Sequence, residues 1–224
     1  MLRHNKTIQI NFLLAIVFFA AGCAPSAPLA ISLAVNKVPT VPLNIGAGTK
    51  VYLSVLDQRT AKILGYRAMV LRWQGLGIGK GFRHVDEGPI SVSEDVEAVI
   101  LKSLKDGLSS LGFETLVTAE PSAPTLEVAV QSLRYELFAC CSEANFSGTI
   151  TAKIYKDTRL LYEKTYDNYR ADRYTHFRAS DRSWFEENFN AALSYLIGQL
   201  LTDIELIKAL REYPILGMHV IPRN

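Results

Sequence analysis

The sequence predicts an α+β domain: a mainly antiparallel sheet with two helices packed on one face, a two-layer sandwich. Three observations predict it. Segments with apolar residues at every second position recur along the chain, two longer segments carry apolar residues at helical spacing, and their order is strand, strand, helix, four strands, helix. No internal repeat is present.

The first strand is Val51, Leu53 and Val55 alternating with Tyr52 and Ser54, and it ends at the polar turn Asp57-Gln58-Arg59-Thr60. A loop rich in glycine comes next (Gly75, Gly77, Gly79, Gly81), with a weak strand near Phe82 to Val85. The first helix has Ser91 and Glu94 at capping-box spacing and apolar positions at Val92, Val96, Val99, Ile100, Leu104, Leu108 and Leu111. Gly112 is its stop.

Phe113 to Val117 reads as a strand and Glu120 to Pro124 as a turn. In the long strand after that turn, Leu126, Val128 and Val130 keep one phase while Leu133, Tyr135 and Leu137 keep the opposite one. That switch predicts a bulge or bend near Ser132. Phe146, Gly148, Ile150, Ala152 and Ile154 alternate with polar partners, and Lys156-Asp157-Thr158-Arg159 turns the chain into Leu160 to Tyr169 as a hairpin. A final helix starts near Ser183, with Glu186 in capping-box register, and runs through Phe185, Phe189, Leu193, Leu196, Leu200, Ile204 and Ile207.

The strongest local signal precedes the domain. Arg3, His4 and Lys6 form a basic start, Phe12 to Ala21 an apolar run too short to span ~30 Å of hydrocarbon, and Ala20-Ala21-Gly22-Cys23 a small-residue cleavage site. The cysteine straight after Gly22 resembles the lipobox of bacterial lipoproteins. That resemblance implies cleavage before Cys23 and acylation of its thiol, with the several acyl chains that stable anchoring needs. Ala24 and Pro25 in place of aspartate imply sorting to the outer membrane. The expected organisation is therefore a signal peptide over 1–22, the lipidated cysteine and an extended tether over 23–48, one periplasmic domain over 49–211, and a C-terminal tail over 212–224. A short strand near Ile31 to Val35 fits within the tether.

Composition limits the partners. Removing Arg3 and Lys6 with the signal peptide leaves a formally neutral chain, which argues against nucleic acid or anionic membrane surfaces as targets. Three cysteines, Cys23, Cys140 and Cys141, cannot build a framework of several disulfides.

With the lipobox Cys23, the turn Asp57-Gln58-Arg59-Thr60 after the first strand, the Leu126 to Leu137 strand after the first helix and the long C-terminal helix, the chain resembles the YajG-like family of bacterial lipoproteins. The resemblance covers nearly all of the mature domain and implies an α/β periplasmic domain on a lipid tether, with no reaction attached. The glycine-rich loop and the Tyr213 to Asn224 tail depart from the family's shorter members.

The remaining constellations are weak as chemistry. The glycines around Lys80 lack P-loop spacing and a following serine or threonine, so they read as a surface loop. Cys140-Cys141 leaves three readings open: two buried or edge thiols, a vicinal disulfide, or a redox or metal pair, the last without further ligands at a recognised spacing. Asp57 and Arg59 read as turn-closing partners. Between Arg159 and Trp184, aromatics interleave with cations, and Tyr169, Arg170, Arg173, Tyr174, Phe177 and Arg178 are the residues expected to meet a partner.

No HExxH, GxSxG or CxxC motif is present, so no enzyme activity and no cofactor are expected. The expected function is that of an outer-membrane-anchored, periplasm-facing binding or assembly module with an envelope protein partner. The competing readings are an accessory lipoprotein of envelope lipid transport and a thiol redox protein using Cys140 and Cys141.

Overall fold

The computed structural model describes residues 28–35, 45–73, 81–138, 143–173 and 181–211. Along them run β1 (Leu29–Ile31), β2 (Lys50–Asp57), β3 (Ile63–Trp73), β4 (Gly81–Val92), α1 (Val96–Ser110), β5 (Glu114–Leu116), β6 (Thr125–Phe138), β7 (Glu143–Lys156), β8 (Arg159–Arg173), α2 (Arg182–Leu201) and α3 (Ile204–Arg211). The fold is α+β, as the patterns predict. The strands form a five-stranded sheet in the order β5-β2-β6-β7-β8 and a three-stranded sheet in the order β1-β4-β3.

β6, β7 and β8 form the expected antiparallel ladder, while β2 runs parallel to both of its neighbours, β5 and β6. The sheet is therefore mixed. The chain leaving β2 does not turn back beside it but travels through β3, β4 and α1 first, and a long connection of that kind permits parallel return. The β7–β8 turn has φ of 46° at Asp157 and 72° at Thr158, which matches the right-handed twist of a two-residue hairpin. The phase switch in β6 is a register shift between Val130 and Ser132, so Val130 and Leu133 are both buried.

Several expected boundaries differ. β3 occupies part of the segment read as loop, because Ile63-Leu64-Gly65-Tyr66 and the rest of that strand lack a two-residue apolar alternation. β4 extends well beyond the short strand expected near Phe82, and Gly75, Gly77 and Gly79 lie outside the described residues. Ser91 belongs to β4 rather than to a cap, and Asp95 caps α1 by accepting from the Glu97 N–H at 3.0 Å. Asp181, not Ser183, caps α2, accepting the Ser183 N–H at 2.9 Å. In both cases the aspartate stands at the residue just before the helix, where its carboxylate reaches a free first-turn amide, whereas Ser91 lies four residues too early and Ser183 already within the helix. The long C-terminal helix is two helices, broken at Thr202 and Asp203.

The helices pack on one face of the five-stranded sheet, as expected. Ile100, Leu104 and Leu108 of α1 and Phe185, Leu193 and Leu196 of α2 are fully buried or nearly so against Val51, Leu126, Val128, Ile150 and Ile154 of the sheet. Tyr135, Phe146, Trp184, Phe185 and Phe189 form an aromatic cluster with neighbouring centroids 5.0 to 5.3 Å apart, edge to face except for Tyr135 and Phe146, whose planes are tilted by 44°. Gly148 leaves room for α2 there, since a Cβ would stand 2.7 Å from Leu196 Cδ1.

The segment expected to be tether is partly built into the domain. β1 pairs in parallel with β4, Ile31 and Leu33 are buried, and the backbone beyond is held by both helix starts. Ser32 donates its N–H to Glu186 at 2.8 Å and its hydroxyl to Glu94. Leu33 N–H donates to Glu94 at 3.1 Å and Ala34 N–H to Asn190 Oδ1 at 2.7 Å.

Candidate functional site

β8 is the last strand of its sheet, and its register decides what each side chain faces. Residues paired across a ladder share a face. Tyr162, Lys164, Tyr166, Asn168 and Arg170 pair with Ile154, Ala152, Ile150, Gly148 and Phe146 of β7, a buried row, so they rise on the helix side. Glu163, Thr165 and Asp167 pair with Lys153, Thr151 and Thr149 on the outer side. The outer pairs are joined by a Lys153–Glu163 ion pair at 3.0 Å, a Thr151–Thr165 hydrogen bond at 2.9 Å and a Thr149 hydroxyl donating to Asp167 at 2.8 Å.

On the helix side the polar row meets the break between α2 and α3. Asp203 Oδ1 accepts the N–H groups of Glu205 at 2.9 Å and Leu206 at 3.2 Å, which caps α3. Its Oδ2 accepts from Lys164 at 2.6 Å and from the Tyr162 and Tyr166 hydroxyls at 3.0 Å each, and the two phenols lie 2.8 Å apart. The Asp203 side chain is 7% exposed. Burial opposes its ionisation, but the Lys164 ammonium, the Leu206 N–H and the two phenols outweigh burial and hold the carboxyl well below the ordinary carboxylate range. Burial first, and then the shared hydrogen bonds, push the Tyr166 phenol far above its usual value. This carboxylate is charged and fully engaged, so the cluster staples α3 to the edge strand.

Two cavities open to solvent flank the staple. One, of about 480 Å³, is bordered by Lys164, Tyr166, Asp167, Gln199, Asp203 and Glu205, with Ile204 at its rim, and the other, of about 420 Å³, by Asp167, Asn168, Arg170, Ala191, Tyr195 and Gln199, so the lining is of mixed charge. Together they follow the β8 edge beneath α2. Gln199 borders both, and its Oε1 is buried with no hydrogen-bond partner among the described residues. Asn168 ties the strand to the helix by donating to the Ala192 carbonyl at 3.0 Å.

A second polar group closes the turn after β2. Arg59 Nε and one of its terminal nitrogens each donate to Asp57 at 2.8 Å, Lys62 adds an ion pair at 2.8 Å, and the Arg59 side chain is 5% exposed. The Arg59 hydrogen bond chiefly holds the Asp57 carboxyl well below the ordinary range. Asp57 and Arg59 thus take the turn-closing role expected of them.

Of the residues expected to meet a partner, Tyr169, Arg170 and Arg173 lie in the second half of β8, where Arg170 is exposed and Arg173 is the register partner of Glu143. Tyr174, Phe177 and Arg178 lie outside the described residues, as do Cys23, Cys140, Cys141 and the tail beyond Arg211. Sequence reasoning missed Asp203 and Gln199. The usable signal was the polar run Tyr162, Lys164, Tyr166, Asn168, Arg170 at two-residue spacing, opposite an apolar row of β7.

Among the described residues no group of metal-ligating side chains is assembled, and no helix is long and apolar enough to cross a membrane. The model of a family described as "Uncharacterized lipoprotein", Lipoprotein_16, matches residues 84–211. No curated protein matches the sequence. Solved structures similar to the chain include a DUF330 protein from Xanthomonas campestris, 15% identical over 79% of this chain and 93% of that one, with a TM-score of 0.49. A minor lipoprotein from Acinetobacter baumannii is 14% identical over 70% and 90%, with a TM-score of 0.44. The rare lipoprotein B from Shewanella oneidensis is 10% identical over 68% and 91%, with a TM-score of 0.42.

Proposed function

The chain belongs to the Lipoprotein_16 family of bacterial lipoproteins, and from that premise we propose that it is a non-enzymatic binding or assembly module, acylated on Cys23 and facing the periplasm from the outer membrane. The resemblance to YajG-like lipoproteins read from its residues is borne out by that membership. Membership implies a membrane-anchored envelope protein. The choice of membrane rests on Ala24 and Pro25, and the point of attachment on the cysteine after Gly22.

The observation that carries the binding role is the contrast between a filled interior and an open polar cleft. Between helices and sheet the described side chains are packed, with Ile100, Leu104, Leu126, Ile150, Phe185 and Leu196 buried to 0% exposure. The cavities along β8 are open and bordered by cations, carboxylates and amides together: Lys164, Arg170, Asp167, Asp203, Asn168 and Gln199. A lipid carrier needs an apolar groove, so this arrangement favours the capture of a polar partner at the surface.

Membrane fractionation with intact-mass analysis tests the anchor. Wild type is expected to carry acyl mass and sediment with outer membrane, and Cys23→Ser to be unacylated and released. Unmodified, soluble wild type would overturn the anchor. In-envelope crosslinking tests the module, and the absence of any captured protein would end that reading.

A further inference from the structure

We infer that the outer half of the β3–β4 ribbon, residues 67–73 and 81–85, is a second membrane contact, seated in the headgroup region of the bilayer that carries the acylated Cys23. This deepens the anchoring reading and rests on it.

The direction of the chain carries the argument. β1 runs parallel to β4, with Leu29 level with Ile90 and Ile31 level with Val92. The residues before Leu29 therefore come from the side on which β4 begins, at Gly81, and on which β3 ends, at its register partner Trp73. Contacts with α2 give the same direction. Ser32 donates its N–H to Glu186 near the helix start and Ala34 donates to Asn190 one turn further in, so the chain passes α2 from its beginning inward.

Lengths then decide what meets the bilayer. From Ile90 back to Gly81 the ribbon runs nine residues, about 30 Å of strand. From Leu29 back to Cys23 there are six, about 20 Å when fully drawn out. A tether that continues in line with β1 is thus shorter than the ribbon beside it, and the ribbon reaches the membrane before the tether is taut.

The composition of the ribbon suits that place. Ala68-Met69-Val70-Leu71 is an unbroken apolar run, a pattern shown by strands that are covered on both faces. Among the described residues, however, no helix lies along the ribbon. β3 packs on β4 and, where Gly65 meets the Tyr135 backbone, on β6, and β4 packs on β3 and β1. Tyr66, at the root of the ribbon, is 55% exposed. By register, Met69 and Leu71 share a face with Val85 and Arg83, and Trp73 ends that row, while Val70 and Arg72 share the other face with His84 and Phe82. Aliphatic residues joined by tryptophan and arginine favour the bilayer interface, where indole rings settle among the headgroups and guanidinium groups meet lipid phosphate. The two segments hold three arginines, Arg67, Arg72 and Arg83, and no carboxylate, a local excess that the neutral total of the mature chain conceals.

The test uses the full mature protein, acylated as cells make it, in vesicles of phosphatidylethanolamine and phosphatidylglycerol with or without brominated phosphatidylcholine, whose bromines quench tryptophan on contact. The chain has two tryptophans and Trp184 is 4% exposed in the core, so the difference between wild type and Trp73→Phe reads Trp73. Brominated lipid is expected to remove about half or more of the Trp73 emission, as for a ring at headgroup depth, and to leave Trp73→Phe unchanged. Acylated, vesicle-bound protein whose Trp73 emission is the same in both kinds of vesicle would overturn the inference and leave the anchor standing. If Trp73 were then shielded from iodide in solution, a protein surface, a second copy included, would cover the ribbon in place of lipid. Wild type without acyl mass would end the anchor and this inference together.

Discussion

At the scale of single residues, the fold depends on one carboxylate that gathers donors from far apart in the chain. Asp203→Asn keeps an oxygen but loses the charge that Lys164 and both phenols bind, with an expected cost of about 2–3 kcal/mol in urea unfolding. The pH dependence comes from the direction of the shift. A carboxyl held low in the folded state contributes stability above its unfolded value of about 3.9, and that contribution is lost as pH falls through the folded value. The gap between wild type and Asp203→Asn is therefore expected to be full at pH 6 and to narrow below pH ~4, measured as unfolding midpoints across that range. Arg170 was visible in the sequence because its neighbourhood is local. Asp203 was not, because its donors Tyr162, Lys164 and Tyr166 precede it by about forty positions and only the fold brings them there.

At the scale of elements, close backbone approach decides what substitution each strand tolerates. β3 passes over β6 so tightly that a Cβ on Gly65 would stand 2.5 Å from the Tyr135 carbonyl oxygen, a backbone atom with little freedom to yield. Gly65→Ala is expected to cost about 1–3 kcal/mol, and Gly148→Ala less, because the methyl of Leu196 can move aside. Denaturant titration of the two variants side by side tests the ranking. Helix caps give a second check: Asp95→Ala and Asp181→Ala are each expected to lose about 1 kcal/mol, against little change for Ser91→Ala as a cap. The β6 bend and the β7–β8 hairpin were legible because alternation and turn chemistry are written in adjacent residues. β3 was hidden by its lack of alternation, and the helix starts were misread by a few residues because serine and glutamate at the right spacing imitate a cap that aspartate supplies.

At the scale of the molecule, the class of fold and the family could be read before the pairing of strands. Alternation tells which face of a strand is buried but not which strand lies beside it, so the parallel contacts of β2 and the separate β1-β4-β3 sheet were not foreseen. Arg170 lies on the cleft, while the length of the β8 edge emerges only from the sheet order.

The docking of β1 also sets how far the protein can work from its membrane. With Cys23 acylated, only the five residues Ala24 to Pro28 separate the lipid from a strand locked against β4, a leash of at most ~20 Å even when drawn straight. An anchor at that cysteine would let the domain roll and pivot at the bilayer surface and hold it within that distance of the membrane. Any partner of the proposed binding module would then have to come to the membrane to be met.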